Sequence, residues 1–223
     1  MDITSYLLGK QAGGGSSSTF FEITTNTSNA APARFELLTV NVASNVTSLT
    51  SAFRENSFIK GTIKLVGGSN NLDIGTNTFD CCYFVEKIDL TNLTYKTLNN
   101  IEKMFNSCEN LQEIKGLNNL NINNVQYFSR CFYYCPQLTE INISEWKSTA
   151  SNLNISQMFQ SCSRLQKIDM RNFDFSNVTT YNNAFTNVPA NCLIVVADST
   201  QKTWLNTNFP SLTNVKTVAE YGG

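Results

Sequence analysis

The sequence predicts an α/β repeat solenoid of about six units, each 26–27 residues long and built from a short strand plus a short helix, with a cap at both ends. Three observations predict it. Phe53, Phe79, Phe105, Phe132, Phe159 and Phe185 are spaced by 26, 26, 27, 27 and 26 residues. A Cys-Leu-Ile pattern follows the phenylalanines in phase: Cys108, Leu111 and Ile114, then Cys135, Leu138 and Ile141, then Cys162, Leu165 and Ile168. An apolar stripe at i, i+3, i+7 precedes them. Self-similarity at this period marks stacked units, none of which can bury its apolar face alone.

Within a unit, the helix is expected upstream of the phenylalanine. Val46, Leu49 and Phe53 have helical spacing, as do Leu98, Ile101 and Phe105, Val125, Phe128 and Phe132, and Val178, Tyr181 and Phe185. Asn124 and Asn177 stand where they would cap two of these helices. The strand is expected downstream, where Ile88-Asp89-Leu90, Ile141-Asn142-Ile143 and Ile168-Asp169-Met170 alternate. The first unit (Phe53, Asn56, Ile59) and the last (Phe185, Val188, Ile194) are degenerate, as terminal repeats usually are. The second unit keeps the pattern with Phe79, Cys82, Val85 and Ile88.

Along the chain, residues 1–18 divide into a short apolar leader carrying Ile3, Tyr6, Leu7 and Leu8, and a Gly/Ser tether from Gly13 to Ser18. Residues 19–44 hold two strand-like runs, Phe20–Ile23 and Phe35–Val40, expected as an N-terminal cap. Repeats occupy 45–196. In 197–223, Asp198 or Ser199 should cap a helix holding Trp204 and Leu205, with Pro210 beyond it, and Val215–Val218 should close the stack.

Composition narrows the function. The 223 residues include 16 basic and 17 acidic side chains and no histidine, for a net charge of -1. Without histidine, Ser-His-Asp and Cys-His catalysis and histidine metal sites are excluded. No basic patch offers counterion-release binding to nucleic acid. No run of about 20 apolar residues suggests membrane insertion. Charged residues are only 15%, against roughly 25% in an average soluble domain. Asn, Ser and Thr supply the polarity, which suits turns and stacked ladders.

The candidate contact residues are those facing away from the expected core. Asp89, Lys115, Asn142 and Asp169 share a repeat phase and read first as a solvated sheet face, with a candidate recognition stripe as the functional alternative. Tyr133, Tyr134 and Trp146 fall outside the inward stripe and are candidate aromatic contacts, although Trp146 could pack within a turn as Phe173 does at its matching place. Cys82, Cys108, Cys135 and Cys162 hold one place in consecutive coils, about 5 Å apart if stacked. They read as a ladder of buried thiols, although that spacing would also permit a bridge. The sequons at Asn92, Asn142 and Asn177 read as turn and cap chemistry. No CxxC pair or paired-carboxylate cleft is visible, so no metal, cofactor or catalytic residue is expected.

The strings MFNSCENLQEIKGLNNLNINNVQYFSRCFYYCPQLTEINI and MFQSCSRLQKIDMRNFDFSNVTTYNNAF resemble the BspA-like leucine-rich-repeat surface proteins, whose unit reads approximately MFxxCxxLxxIDLSNFDTSNVTNM. The resemblance covers residues 45–196. It implies a right-handed leucine-rich-repeat solenoid used in adhesion and recognition, often on bacterial surfaces, and no catalytic residue. The opening MDITSYLLGKQAGGG lacks the basic and long apolar regions of a secretory signal. It is similar to leaders on structural proteins of phages of Gram-positive bacteria, and VPANCLIVVADSTQKTWLNTNFPSLTNVKTV is similar to the ends of repeat-containing phage proteins. The resemblance therefore implies a non-enzymatic virion protein, made in the host cytoplasm. It would dock to capsid or tail proteins through the leader and present the solenoid for decoration, assembly or attachment to a host surface protein or glycan. A bacterial cell-surface adhesin is the alternative, and a glycan-processing enzyme is a third reading.

Overall fold

A computed structural model of the chain describes residues 19–23, 37–56 and 59–222, with only the backbone for 19–23. The expected leader, Ile3, Tyr6, Leu7 and Leu8, and the tether lie outside the described residues. The chain forms a parallel β-solenoid of about seven turns with little helix.

Five strands, β1 (Thr19–Ile23), β2 (Leu37–Val42), β3 (Gly61–Gly68), β4 (Val85–Thr94) and β5 (Glu113–Lys115), make one parallel sheet in sequence order. The next coils contribute β6 (Glu140–Asn142), β7 (Leu153–Asn154), β8 (Lys167–Asp169), β9 (Val178–Thr180) and β10 (Leu193–Val196). The chain ends in helix α1 (Ser199–Asn208), β11 (Val215–Thr217) and a single helical turn, α2 (Val218–Tyr221). Strands β6, β8, β10 and β11 form a second sheet, and β7 pairs with β9. Register follows the repeat. Ile63, Ile88 and Ile114 lie side by side in the first sheet, and Ile141, Ile168, Ile194 and Val215 in the second.

The phenylalanines form the column that the spacing implies. Phe53, Phe79, Phe105, Phe132 and Phe159 stack nearly parallel at 5.3, 5.7, 5.6 and 5.6 Å between ring centres, and Phe185 follows at 5.2 Å, tilted. They belong to one buried cluster running through the repeats. The cysteines give the column a second role for its backbone. The Sγ of Cys82, Cys108, Cys135 and Cys162 donates to the carbonyl of Phe53, Phe79, Phe105 and Phe132, respectively, at 2.9–3.1 Å. A small buried donor at this place ties each coil to the one before it.

The expected helix in each unit is not there, and this corrects the α/β reading. Every column phenylalanine is flanked two residues before and two after by a non-glycine residue with positive φ. Lys103 and Ser107 flank Phe105, Arg130 and Tyr134 flank Phe132, and Gln157 and Ser161 flank Phe159. Left-handed residues interrupt a right-handed helix. The arc through Phe159 is instead a chain of tight turns, with Met158, Gln160 and Cys162 donating to Ile155, Gln157 and Phe159 three residues back. The amides between them, on Gln157, Phe159 and Ser161, donate to Asn182, Ala184 and Thr186 of the next coil. Alternate amides therefore serve the coil and its neighbour, where a helix would keep all of them within one segment. Tight turns still bring residues three and four apart to the same side, which is why the apolar spacing imitated a helix. Asn177, read as a helix cap, instead ends the three-residue 3-10 turn Phe175–Asn177.

Replacing Lys103 (φ 54°) by glycine should therefore stabilise the chain by about 0.5–1 kcal/mol, while valine there should destabilise it by more than about 1 kcal/mol. Urea midpoints of the two variants check this, since a helix at this place would reverse the order.

Beyond the last coil the chain folds into a capped helix, a short strand and a helical turn. Asp198 caps α1 by accepting from the amides of Thr200 and Gln201, and Leu205 is buried. Trp204 stacks on Phe175 at 4.8 Å and Phe209 meets Phe185 edge-on at 4.8 Å, so α1 and its exit cover the last ring of the column. Lys202 pairs with Glu220 and ties α1 to α2.

Candidate functional site

Two surfaces collect the candidate residues. The first is the outer face of the strands. Asp89 lies beside Lys115 and Asn142 beside Asp169, as their phase requires. The four do not make one exposed stripe, which corrects the sequence reading. Asp169 is only 4% exposed and is held by Arg171 through both carboxylate oxygens, at 2.9 and 2.6 Å. Asn142 accepts from the amide of Ser144, and Asp89 from the amide and hydroxyl of Thr91, so both side chains stabilise the turn after their strand. Burial pushes the Asp89 carboxyl up, but the Thr91 bonds and the charges of Lys64 and Lys115 outweigh it and hold it below the usual carboxylate range.

The row is also divided. Strands β5 and β6 follow one another in the repeat but belong to different sheets, and among the described residues no backbone hydrogen bond joins them. A cleft of about 400 Å³ opens between them, lined by Glu113, Ile114, Gly116, Leu117, Glu140 and Ile141 among others. Ile114 shows the consequence. The isoleucines at the same place in other coils, Ile88, Ile141 and Ile168, are buried, whereas Ile114 is partly exposed. The cause lies in the residues that would oppose each other. Neighbouring rows pair opposite charges: Lys87 Nζ reaches Glu113 at 3.5 Å, and Lys167 Nζ reaches Glu140 at 3.2 Å. Continuing the ladder from β5 to β6 would set Glu113 against Glu140, and like charges placed directly opposite destabilise strand pairing. The phase of these glutamates, 27 residues apart, was the signal in the sequence.

At one end the cleft is pinned shut. Trp146, a candidate contact from the sequence, is fully buried, so it packs within the core in the way Phe173 does. Its indole Nε1 donates to the carbonyl of Leu117 at 2.9 Å, and its ring leans on Phe128 and Phe132. Asn118 Oδ1 accepts from the Glu145 amide at 2.8 Å. Both contacts clamp the 3-10 turn Leu117–Asn119 to the coil that carries β6.

The second surface is on the turn side. Tyr134 is 42% exposed and Tyr133 is half-buried, with ring centres 6.3 Å apart. The Arg130 guanidinium stands 5.8 Å over the Tyr133 ring, and its Nε donates to Gln157 Oε1 at 2.7 Å. Gln157 in turn donates to Gln160 at 2.8 Å. The platform stands on the inter-coil amide bonds of Arg130 and Tyr134. Exposed Tyr127 was missed by the sequence reading. It replaces the asparagine that, as Asn100 and Asn154, caps the following turn in the adjacent coils. Exposed Phe84 was missed too, and nothing in the repeat pattern marks it.

All seven cysteines are free thiols, and only Cys81 is not buried. Burial, opposed by a hydrogen bond with Tyr83 and aided by Asp80 and Glu55, raises the Cys81 thiol above its ordinary value. Burial likewise pushes Cys108, Cys131, Cys135 and Cys162 well up. A thiol reagent at pH 8 should therefore titrate one cysteine slowly in the native chain and all seven in denaturant. Two or more fast native thiols would contradict the buried ladder. Among the described residues, no group of three or more Cys, Asp or Glu is placed to hold a metal ion, and no helix is long and apolar enough to cross a membrane.

The family model described as "Mycoplasma protein of unknown function, DUF285" matches residues 76–194, more than half of the chain. The chain belongs to this family. The DUF285 match takes in the full coils from Phe79 to Phe185, and with them the cleft and the tyrosine platform. It lies within the span of the BspA-like resemblance. No curated protein and no solved structure matches the chain.

Proposed function

We propose that this DUF285 member is a non-enzymatic recognition scaffold that presents a rigid solenoid surface to a protein or glycan on another particle or cell. The observation that carries the reading is the Arg130–Tyr133–Tyr134 platform. Its aromatic rings are held outward on a backbone bonded to both neighbouring coils, so little ordering entropy is lost when they are covered. Aromatic rings beside fixed amide and guanidinium groups suit the apolar faces and hydroxyl edges of sugars, and equally the mixed surface of a protein.

In the leading form of this proposal the chain is a virion component. The leader with Ile3, Tyr6, Leu7 and Leu8 docks to a capsid or tail protein, and the solenoid faces outward. Its support is the likeness of the leader and the ending to phage structural proteins. A cell-surface adhesin is the second form, favoured by a family described from Mycoplasma, a cellular source. Deleting residues 1–12 and measuring the chain in purified particles and in cell-envelope fractions separates the two. Loss from particles supports the virion form, and unchanged recovery in the envelope supports the adhesin. For recognition itself, Tyr133→Ala with Tyr134→Ala should reduce attachment of the purified chain to host cells by tenfold or more while leaving the thermal midpoint nearly unchanged. Unaltered attachment would remove the platform from the proposal.

A further inference from the structure

We propose that the cleft between β5 and β6 is a docking site for one extended peptide strand of a partner protein, entering parallel to the coils and reading basic–β-branched–acidic. The site is distinct from the tyrosine platform and does not depend on it.

Four observations define the occupant. The edges of β5 and β6 that face the cleft are bonded to no strand among the described residues, so each presents unpaired main-chain donors and acceptors, the template for strand addition. Each edge is three residues long, so the occupant is matched to a strand of about 10 Å. Ile114 is left partly exposed against a core in which Ile88 and Ile141 are covered, so the middle residue of the occupant is apolar and points inward. Charge sets the outer two positions. Before the isoleucines, Glu113 and Glu140 share one register position across the cleft, and a cation seated between them would have a carboxylate on each side. After the isoleucines come exposed Lys115 and Asn142, beside which an anion fits.

The chain has already solved the same problem in its own strands. The sequence Lys87-Ile88-Asp89 sits against Glu113-Ile114-Lys115, and Lys167-Ile168-Asp169 sits against Glu140-Ile141-Asn142. A peptide reading Lys-Ile-Asp between β5 and β6 would repeat both pairings at once. It would also join the two sheets into one and remove the opposition of Glu113 and Glu140 that holds the ladder open.

The test is fluorescence anisotropy with the full chain and a fluorescein-labelled peptide, Gly-Ser-Lys-Ile-Asp-Ser-Gly. Saturable binding is expected. Protection of the backbone amides of residues 113–115 and 140–142 from hydrogen exchange should accompany it. A peptide with glutamate in place of the lysine should bind at least tenfold more weakly. The double variant Glu113→Lys with Glu140→Lys should lose the original peptide by tenfold or more and gain the glutamate peptide, which also shows that the variant is folded. Tyr133→Ala with Tyr134→Ala should leave peptide binding unchanged, so failure here and failure of the recognition platform are read separately. The proposal is overturned if the peptide does not bind, or if it binds equally well to the charge-reversed variant. A mass that grows with protein concentration and is abolished by the charge reversal would seat a second copy of the chain in the cleft and overturn the partner-peptide reading.

Discussion

Replacing Phe105 by alanine is expected to lower stability by about 3–5 kcal/mol, which for a chain of this size is a drop of roughly 6–20 °C in the thermal midpoint. The ring is fully buried, with Phe79 at 5.7 Å on one side and Phe132 at 5.6 Å on the other. Its removal leaves a hole that neither neighbour can fill, because both are held in their own coils by amide bonds to the next. The shape of the transition should change as well. In a stacked repeat, stability is a sum of coil terms and interface terms, so a gap in the middle of the column weakens the coupling between the two halves. The urea slope should therefore fall, with the halves separating into two transitions, whereas Phe185→Ala at the end of the column should only fray the C-terminal coil. Circular dichroism and tryptophan emission followed together provide the check. A single transition of unchanged slope in Phe105→Ala would mean that the column does not couple the coils.

The second large effect is expected at Trp146. Its alanine variant should cost about 3–5 kcal/mol through the cavity alone, since the indole is fully buried against Phe128 and Phe132. The lost hydrogen bond adds less than an orphaned carbonyl would. Leu117 still accepts from the amide of Leu120 at 3.2 Å, so the added cost is about 1 kcal/mol. Trp146→Phe separates the two parts. It should retain most of the packing, cost about 1–2 kcal/mol, and free the turn Leu117–Asn119 that closes one end of the cleft. Hydrogen exchange should quicken at Asn119 and Leu120 in that variant, whose amides bond to Gly116 and Leu117, and should stay unchanged at Phe79 and Cys81 two coils away. Uniform quickening along the chain would show that Trp146 acts through global stability and not through the turn. Because Trp146 and Phe132 share a contact, a variant lacking both rings should not lose the sum of the two single effects.

Much of the fold was legible in the residues because an inward-facing position repeats at a covalent spacing. The phenylalanines, the cysteines behind them and the isoleucines of the strands could be placed in one dry interior from their spacing alone. The start of α1 was legible for the same kind of local reason, since Asp198 accepts from amides two and three residues ahead. The candidate contacts were read less well. Tyr133 and Tyr134 reach the surface, but Trp146 and Asp169 do not, because the Trp146 indole finds the Leu117 carbonyl in the neighbouring coil and the Asp169 carboxylate finds the Arg171 guanidinium two residues on.

Two features were decided only when the coils stacked. Apolar residues three and four apart serve a helix and a chain of tight turns equally. The choice fell to the turns because the amides of Gln157, Phe159 and Ser161 find carbonyls in the next coil, a partner that no single unit contains. The break between β5 and β6 is of the same kind. Glu113 and Glu140 are each well paired within their own sheet, and their conflict exists only across a junction that the repeat spacing alone would have continued. Period and interior are properties of one unit copied along the chain, whereas backbone conformation and the cleft depend on what the adjacent coil places opposite.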